Sequence, residues 1–252
     1  MLKRLLHSLI AAQLILLLAA CTTERSTSTV PGNVTAESAK AHELNLNRDW
    51  QFVKADTLTS VQSQDWQPVR LPHTPRIEPM IVNDQWQGIA WYQRKLTRPA
   101  DWQDKKIFIR FEAAMNHAEV WLNGHKIGEH LGGYLPFTLD LSEALQTGDN
   151  LLQVRLDNRD NPITGPKPLA QLDFNTYGGL YRDVRLMVKE PLHITDEILA
   201  NQVAGGGIFV TYPQLSEQQA TIQVQTQLAN HALQTKDAVV VQQLYYQQQK
   251  VA

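Results

Sequence analysis

The chain has 252 residues, a formal charge of −2, 43% hydrophobic residues and one cysteine. That length allows one or two domains, and the apolar content is enough for a packed core. The near-neutral charge without a Lys/Arg run excludes a basic nucleic-acid-binding face. A lone cysteine excludes an intramolecular disulfide.

The first residues read as a targeting segment. Lys3 and Arg4 give a positive start, and Leu9 to Leu18 is apolar apart from Gln13. Leu18-Ala19-Ala20-Cys21 is similar to the lipobox of bacterial lipoproteins, and Cys21, the sole cysteine, sits where lipidation requires it. The apolar run is short for a spanning helix. Residues 1–20 are therefore expected to be a signal peptide. Cys21 is expected to carry a lipid that anchors an exported protein to a bacterial membrane, on the periplasmic or outer-membrane face. An ordinary secretory peptide or an uncleaved anchor is the alternative. Residues 21–43, rich in Ser, Thr, Ala and Glu with Pro31 and Gly32, read as a flexible tether.

Folded structure is predicted to start near Leu44, with Leu46, Trp50, Phe52 and Val53 as the first apolar cluster. Trp66, Val69 and Leu71 lead into Leu71-Pro72-His73-Thr74-Pro75, where two prolines enforce an extended start to a loop over 73–88. Strands are predicted over Ile89–Leu96 and Ile107–Glu112, each with apolar residues at alternate positions. Ala118–Leu122 is another, and Asn123-Gly124 directly after it is a strong hairpin signal, with a return strand through Ile127. Phe137, Leu139 and Leu141 alternate with polar residues, and Ser142–Leu145 reads as one helical turn closed by Gly148. Leu152, Val154 and Leu156 form the next alternating strand. Residues 158–172 are irregular, with three prolines and Gly165.

Asp173 to Val184 reads as a loop ending in Gly178-Gly179 and passing into a strand, Val184, Leu186 and Val188. About eight short strands with turn signals between them predict an all-β sandwich or barrel over residues 44–190. The long loops, 73–88 and 158–179, are where function is expected. Beyond Pro191, strands are predicted at Ile194–Leu199, Ile208–Tyr212, Thr221–Leu228 and Val239–Tyr246. Four strands are fewer than an immunoglobulin-like sandwich needs, so residues 191–252 are expected to be a module cut short.

Several motifs then occur in one order: Leu71-Pro72-His73-Thr74, Gly88-Ile89-Ala90-Trp91-Tyr92, Phe111-Glu112-Ala113 with Ala118 to Gly124, and Gly128 with Gly132-Gly133-Tyr134-Leu135-Pro136-Phe137. Asn150 to Val154 with Asp157-Asn158, and Gly178 to Val184, complete the set. Together they resemble glycoside hydrolase family 2, the β-galactosidase and β-glucuronidase group. The resemblance implies a galactose-binding-domain-like jelly roll over 44–190, the family's sugar-binding domain, followed by a partial immunoglobulin-like sandwich over 191–252. It also implies a downstream TIM barrel that supplies two catalytic glutamates for retaining hydrolysis of O-glycosyl bonds. No residue here matches them, because the chain stops before a barrel of about 250 residues could begin.

The resemblance assigns Asp173, five residues before Gly178, to sugar hydroxyls in a β-galactosidase active site. A carboxylate accepts from two adjacent hydroxyls with charge assistance. A loosely similar segment, Glu78 to Asn83, assigns Asn83 to the same sugar, since an amide both donates and accepts. The expected whole is the non-catalytic N-terminal portion of a lipid-anchored β-galactosidase that takes a β-galactoside or related glycan, with no cofactor and no metal. Alternatives are a stand-alone carbohydrate-binding lipoprotein and an inactive truncated gene product. Residues read as structural are His73, Trp121 and Tyr134, and also Arg182, expected to be part-buried and paired with Asp157 or Asp183. Trp86 could stack on a sugar or fill its own loop. The carboxylate pairs Glu78/Asp84 and Asp157/Asp160 read as solvated.

Overall fold

In the computed structural model, residues 42–59, 61–77, 85–164, 168, 171–172 and 174–250 are described. Cys21, Asn83 and Asp173 lie outside them.

The chain is nearly all β. Ten strands form the two sheets of a sandwich: β1 (His42–Asn45), β2 (Trp50–Lys54), β3 (Gln67–Val69), β4 (Ile89–Arg98), β5 (Lys106–Phe111), β6 (His117–Leu122), β7 (His125–Leu131), β8 (Phe137–Asp140), β9 (Gly148–Asp157) and β10 (Val184–Lys189). One sheet has the order β3-β2-β4-β9-β6-β7 and the other β1-β10-β5-β8, with antiparallel neighbours throughout.

The alternation read from the sequence places the core. Ile107, Ile109 and Phe111 of β5 and Val184, Leu186 and Val188 of β10 point inward from one sheet. Tyr92 of β4, Val120 of β6 and Leu152, Val154 and Leu156 of β9 meet them from the other. Each such side chain contributes roughly 1.5–3 kcal/mol through burial. Asn123 (φ 51°) and Gly124 (φ 82°) make the two-residue turn between β6 and β7, where two positive φ angles match the strand twist. The turn after β8 forms as expected, with Leu145 N donating to Leu141 O.

The outer face of the larger sheet is not simply solvated. Val53, Ile89 and Trp91 are buried there beneath Ala55, Leu58, Val61 and Trp66, with Trp121 beside them. Period-2 reading assigns these residues to the solvent side, because it cannot see a loop folding back over them.

Two expectations are corrected here. β10 begins at Val184, and ahead of it Gly179 makes an isolated bridge to Met115. Arg182 therefore follows no strand alternation. It is exposed and pairs with neither Asp157 nor Asp183; its Nη1 donates to Tyr134 O at 3.4 Å. Ile194–Leu199 is not one strand, because Asp196 Oδ1 accepts from the backbone N–H groups of Ile198 (3.0 Å) and Leu199 (2.8 Å) and caps a turn.

Beyond Lys189, β11 (Leu192–Ile194) pairs with β14 (Leu228–Asn230), β12 (Ile208–Leu215) with β13 (Ala220–Thr226), and β15 (Tyr245–Tyr246) with β16 (Gln249–Lys250). The run Val239–Tyr246 is strand only at its end. A residue gains little from extending without a neighbour to take its backbone groups, and Val239, Val240 and Val241 stay exposed.

This segment is tied to the sandwich. Arg110 Nη2 of β5 donates to Asp196 Oδ2 (2.6 Å) and Glu197 Oε1 (2.7 Å). His193 packs edge-on against Phe108, with centroids 5.6 Å apart. Phe108 points away from the sandwich core and is nevertheless buried.

Candidate functional site

The loops after β3, β5, β7 and β9 converge on the stretch that precedes β10. Gly179 is the hinge of this convergence. Its N–H and C=O bond to Met115 at 3.2 and 3.1 Å, and its φ is +94°. A Cβ there would stand 2.5 Å from Tyr92 Oη and 2.7 Å from His73 O, so no side chain fits. One residue on, Leu180 O accepts from His73 N at 2.8 Å. Asn47 fixes the next part, donating from Nδ2 to Asp183 Oδ1 (2.7 Å) and accepting from Val184 N at Oδ1 (3.0 Å).

His73 belongs to this scaffold. Its Nδ1 is 2.9 Å from Tyr92 Oη, and its ring lies 4.7 Å from that of Phe52. Burial, aided by nearby Lys54, holds its pKa below the usual histidine value. Burial also raises the pKa of Tyr92 well above the usual phenol value. Both groups are thus neutral struts near pH 7.

Two amides connect the long loops. Asn158 Oδ1 accepts from Gly88 N (2.8 Å) while its Nδ2 donates to Trp86 O (2.8 Å). Trp86 packs against the core, with Lys54 Nζ over its ring at 4.9 Å. Gln85 reaches the other loop: its Oε1 accepts from Thr176 N (2.9 Å) and Thr176 Oγ1 (3.1 Å), and its Nε2 donates to Phe174 O (3.3 Å). Asn83 lies two residues before Gln85, and Asp173 immediately precedes Phe174. The loops bearing the two sequence-predicted sugar contacts are therefore cross-linked through their neighbours. Phe174, Tyr177 and Tyr134 stay exposed on these loops.

Sequence reasoning missed Gln85, which has no local signal. Asn158 carries one, as the second residue of the Asp-Asn pair after β9. Of the two proposed carboxylate pairs, Asp157 is engaged: Arg159 Nε donates to it at 2.9 Å and Arg155 lies 3.7 Å away. Burial works to raise its pKa, but the Arg159 hydrogen bonds outweigh that and lower it. Glu78 and Asp84 lie outside the described residues.

Among the described residues, His117, Glu119 and Glu129 stand close enough to share a cation. Lys126 already fills that role, its Nζ bonded to Glu119 Oε1 (2.8 Å) and Glu129 Oε2 (2.6 Å). The cluster is an ion-pair network.

Residues 68–191 match the family profile described as glycosyl hydrolases family 2, sugar binding domain. This segment is a family 2 sugar-binding domain. A β-glucuronidase of Formosa agariphila is 31% identical over 82% of this chain and 23% of its own length. A β-galactosidase of Thermoanaerobacterium thermosulfurigenes is 36% identical over 60% of this chain and 22% of its own. The crystal structure of a Bacteroides uniformis β-glucuronidase superimposes with a TM-score of 0.67 at 30% identity, over 77% of this chain and 23% of that one. The chain thus spans about a quarter of the length of these relatives. The family 2 match joins the sandwich to glycoside hydrolases but leaves two sugar classes among the names, β-glucuronide and β-galactoside.

Proposed function

We propose that this chain is the N-terminal, non-catalytic part of an exo-acting family 2 glycosidase that hydrolyses β-galactosides with retention. Residues 44–190 are its jelly roll, and residues 191–252 open an immunoglobulin-like domain. The retaining chemistry, two carboxyls about 5 Å apart across the scissile bond, belongs to a barrel outside these 252 residues. Asp173, and with it Asn83, reaches the terminal sugar from the jelly-roll side. Cys21 carries the lipid that holds the enzyme to a bacterial membrane.

The observation that carries this reading is the Gln85 cross-link, within a domain of matched family. It holds the Asn83 and Asp173 loops as one unit beside exposed Phe174 and Tyr177. Exposed aromatic rings on cross-linked polar loops suit a hexose, which presents hydroxyls on its edge and C–H groups on its face. A β-glucuronide reading is favoured by the names of several relatives. The carboxylate at Asp173 weighs against it, since it would repel a uronate.

The test compares an aryl β-galactoside with an aryl β-glucuronide, using this chain alone and joined to its downstream segment. Turnover only by the joined form, and faster on the galactoside, is expected. Turnover by the isolated chain contradicts a non-catalytic role, and preference for the glucuronide contradicts the sugar assignment.

A further inference from the structure

A cleft of about 600 Å³ lies beside the loop that follows β9, between that loop and the ends of β6 and β7. We propose that it is a second carbohydrate subsite, which holds a neutral hexose unit of an oligosaccharide whose terminal sugar meets the Asp173 loop. This rests on the functional reading above and adds what the substrate must look like beyond its terminal sugar.

The volume falls within the range of small-ligand pockets, roughly 300–1,000 Å³. Its walls carry both kinds of surface that a sugar needs. Leu131, at the end of β7, is 49% exposed, and Ile163, on the loop, is 75% exposed. These aliphatic groups face the same space as a set of fixed polar ones.

Arg159 is the central group. Its Nε and Nη2 are both committed to Asp157, which leaves Nη1 to donate. Asp157 is itself braced by Arg155, and Arg155 Nη1 is held by Glu119 Oε2 at 3.1 Å. The guanidinium is thus pre-oriented, and a ligand that accepts from it forfeits little side-chain freedom. Thr164 Oγ1 accepts from Asn161 Nδ2 at 2.6 Å, so its hydroxyl proton is available to donate. Glu129 supplies an acceptor on the opposite wall.

The cleft is coupled to the Asp173 loop. Asp160 N donates to Gln87 Oε1 at 3.0 Å, and Gln87 Nε2 returns a bond to Asp160 at 3.3 Å. Gln87 is two residues from Gln85, which holds residues 174–176. The short stretch 85–87 therefore contacts both the cleft wall and residues 174–176.

Charge selects the class of sugar. Glu129 and Asp157 line the cleft already paired, with Lys126 and Arg159 respectively, so a uronate would have to compete with a carboxylate for each of these cations. A neutral hexose fits.

The test is calorimetric titration of the chain with three probes: methyl β-galactoside, a β-1,4-linked galactotetraose, and a β-linked glucuronate tetramer. The galactotetraose is expected to bind about tenfold tighter than the monosaccharide, the effect of one charge-assisted hydrogen bond. The glucuronate tetramer is expected to show no such gain. Arg159→Ala and Ile163→Ser should each erase the gain while leaving methyl β-galactoside binding unchanged. Ile163 is exposed, so its replacement keeps the test valid if Arg159→Ala disturbs folding. Asp173→Asn should instead weaken both galactosides alike, which separates failure of the terminal-sugar reading from failure of the cleft. Equal affinity for galactotetraose and monosaccharide, parental binding by both cleft variants, or no binding of galactotetraose would each overturn the proposal.

Discussion

At Gly179 a positive φ coincides with three neighbours inside van der Waals contact of any added Cβ, the third being Pro75 Cδ at 2.9 Å. Gly179→Ala should therefore cost about 2 kcal/mol or more of unfolding free energy, through backbone strain and displaced packing. A urea denaturation series measures it, and an unchanged midpoint would contradict the packing described. The neighbouring histidine gives a pH prediction. Burial lowers the pKa of His73, and burial likewise lowers those of His130 and His193. As pH falls through about 6.5, the unfolded chain takes up these protons before the folded one does. Stability should be highest above pH 7 and should decline toward pH 5. Below that, the lowered carboxyl pKa values of Glu119, Asp140 and Asp157 extend the loss. A flat denaturation midpoint between pH 7.5 and 5 would contradict the burial of these rings.

At the scale of elements, Arg98 at the end of β4 is buried and has no carboxylate partner among the described residues. It donates instead to Leu145 O (2.5 Å), Trp102 O (3.0 Å) and Gln103 O (2.7 Å). It thereby braces the turns at 100–103 and 142–145. Arg98→Met should cost about 2–3 kcal/mol, since buried carbonyls lose a charged donor; chemical denaturation reads this directly. Strands such as β5 and β9 were legible because one face is core and the alternation is strict, and the β6–β7 hairpin because Asn123-Gly124 permits only a tight turn. The Trp91 cluster was not legible, since what buries it comes from residues 55–66 in another part of the chain. Nor was the turn at Asp196, where capping hydrogen bonds override an apolar run that reads as strand. The cross-link by Gln85 was equally hidden, because a glutamine in a loop gives no sign of its partner ninety-odd positions away.

For the whole molecule, Arg110 couples the sandwich to the segment that follows. Asp196 is only 4% exposed and receives that guanidinium. Arg110→Met would leave a buried carboxylate with its backbone N–H donors but without its hydrogen-bonded guanidinium. The segment beyond Pro191 should then unfold at lower denaturant than the sandwich, visible as separate transitions by hydrogen exchange. One coincident transition would show that the coupling lies elsewhere. The family and the sandwich were readable from ordered motifs along residues 71–184. The proposed sugar contacts at Asp173 and Asn83 rest on that resemblance alone, because a carboxylate's role depends on what stands opposite it, and in the proposed function that partner lies in another domain. The most direct measurement is kcat/KM for an aryl β-galactoside by the protein joined to the proposed downstream catalytic barrel, with and without Asp173→Asn. Loss of a charge-assisted bond to the sugar predicts a fall of about tenfold to a hundredfold. An unchanged kcat/KM would contradict the claim that this domain completes the active site.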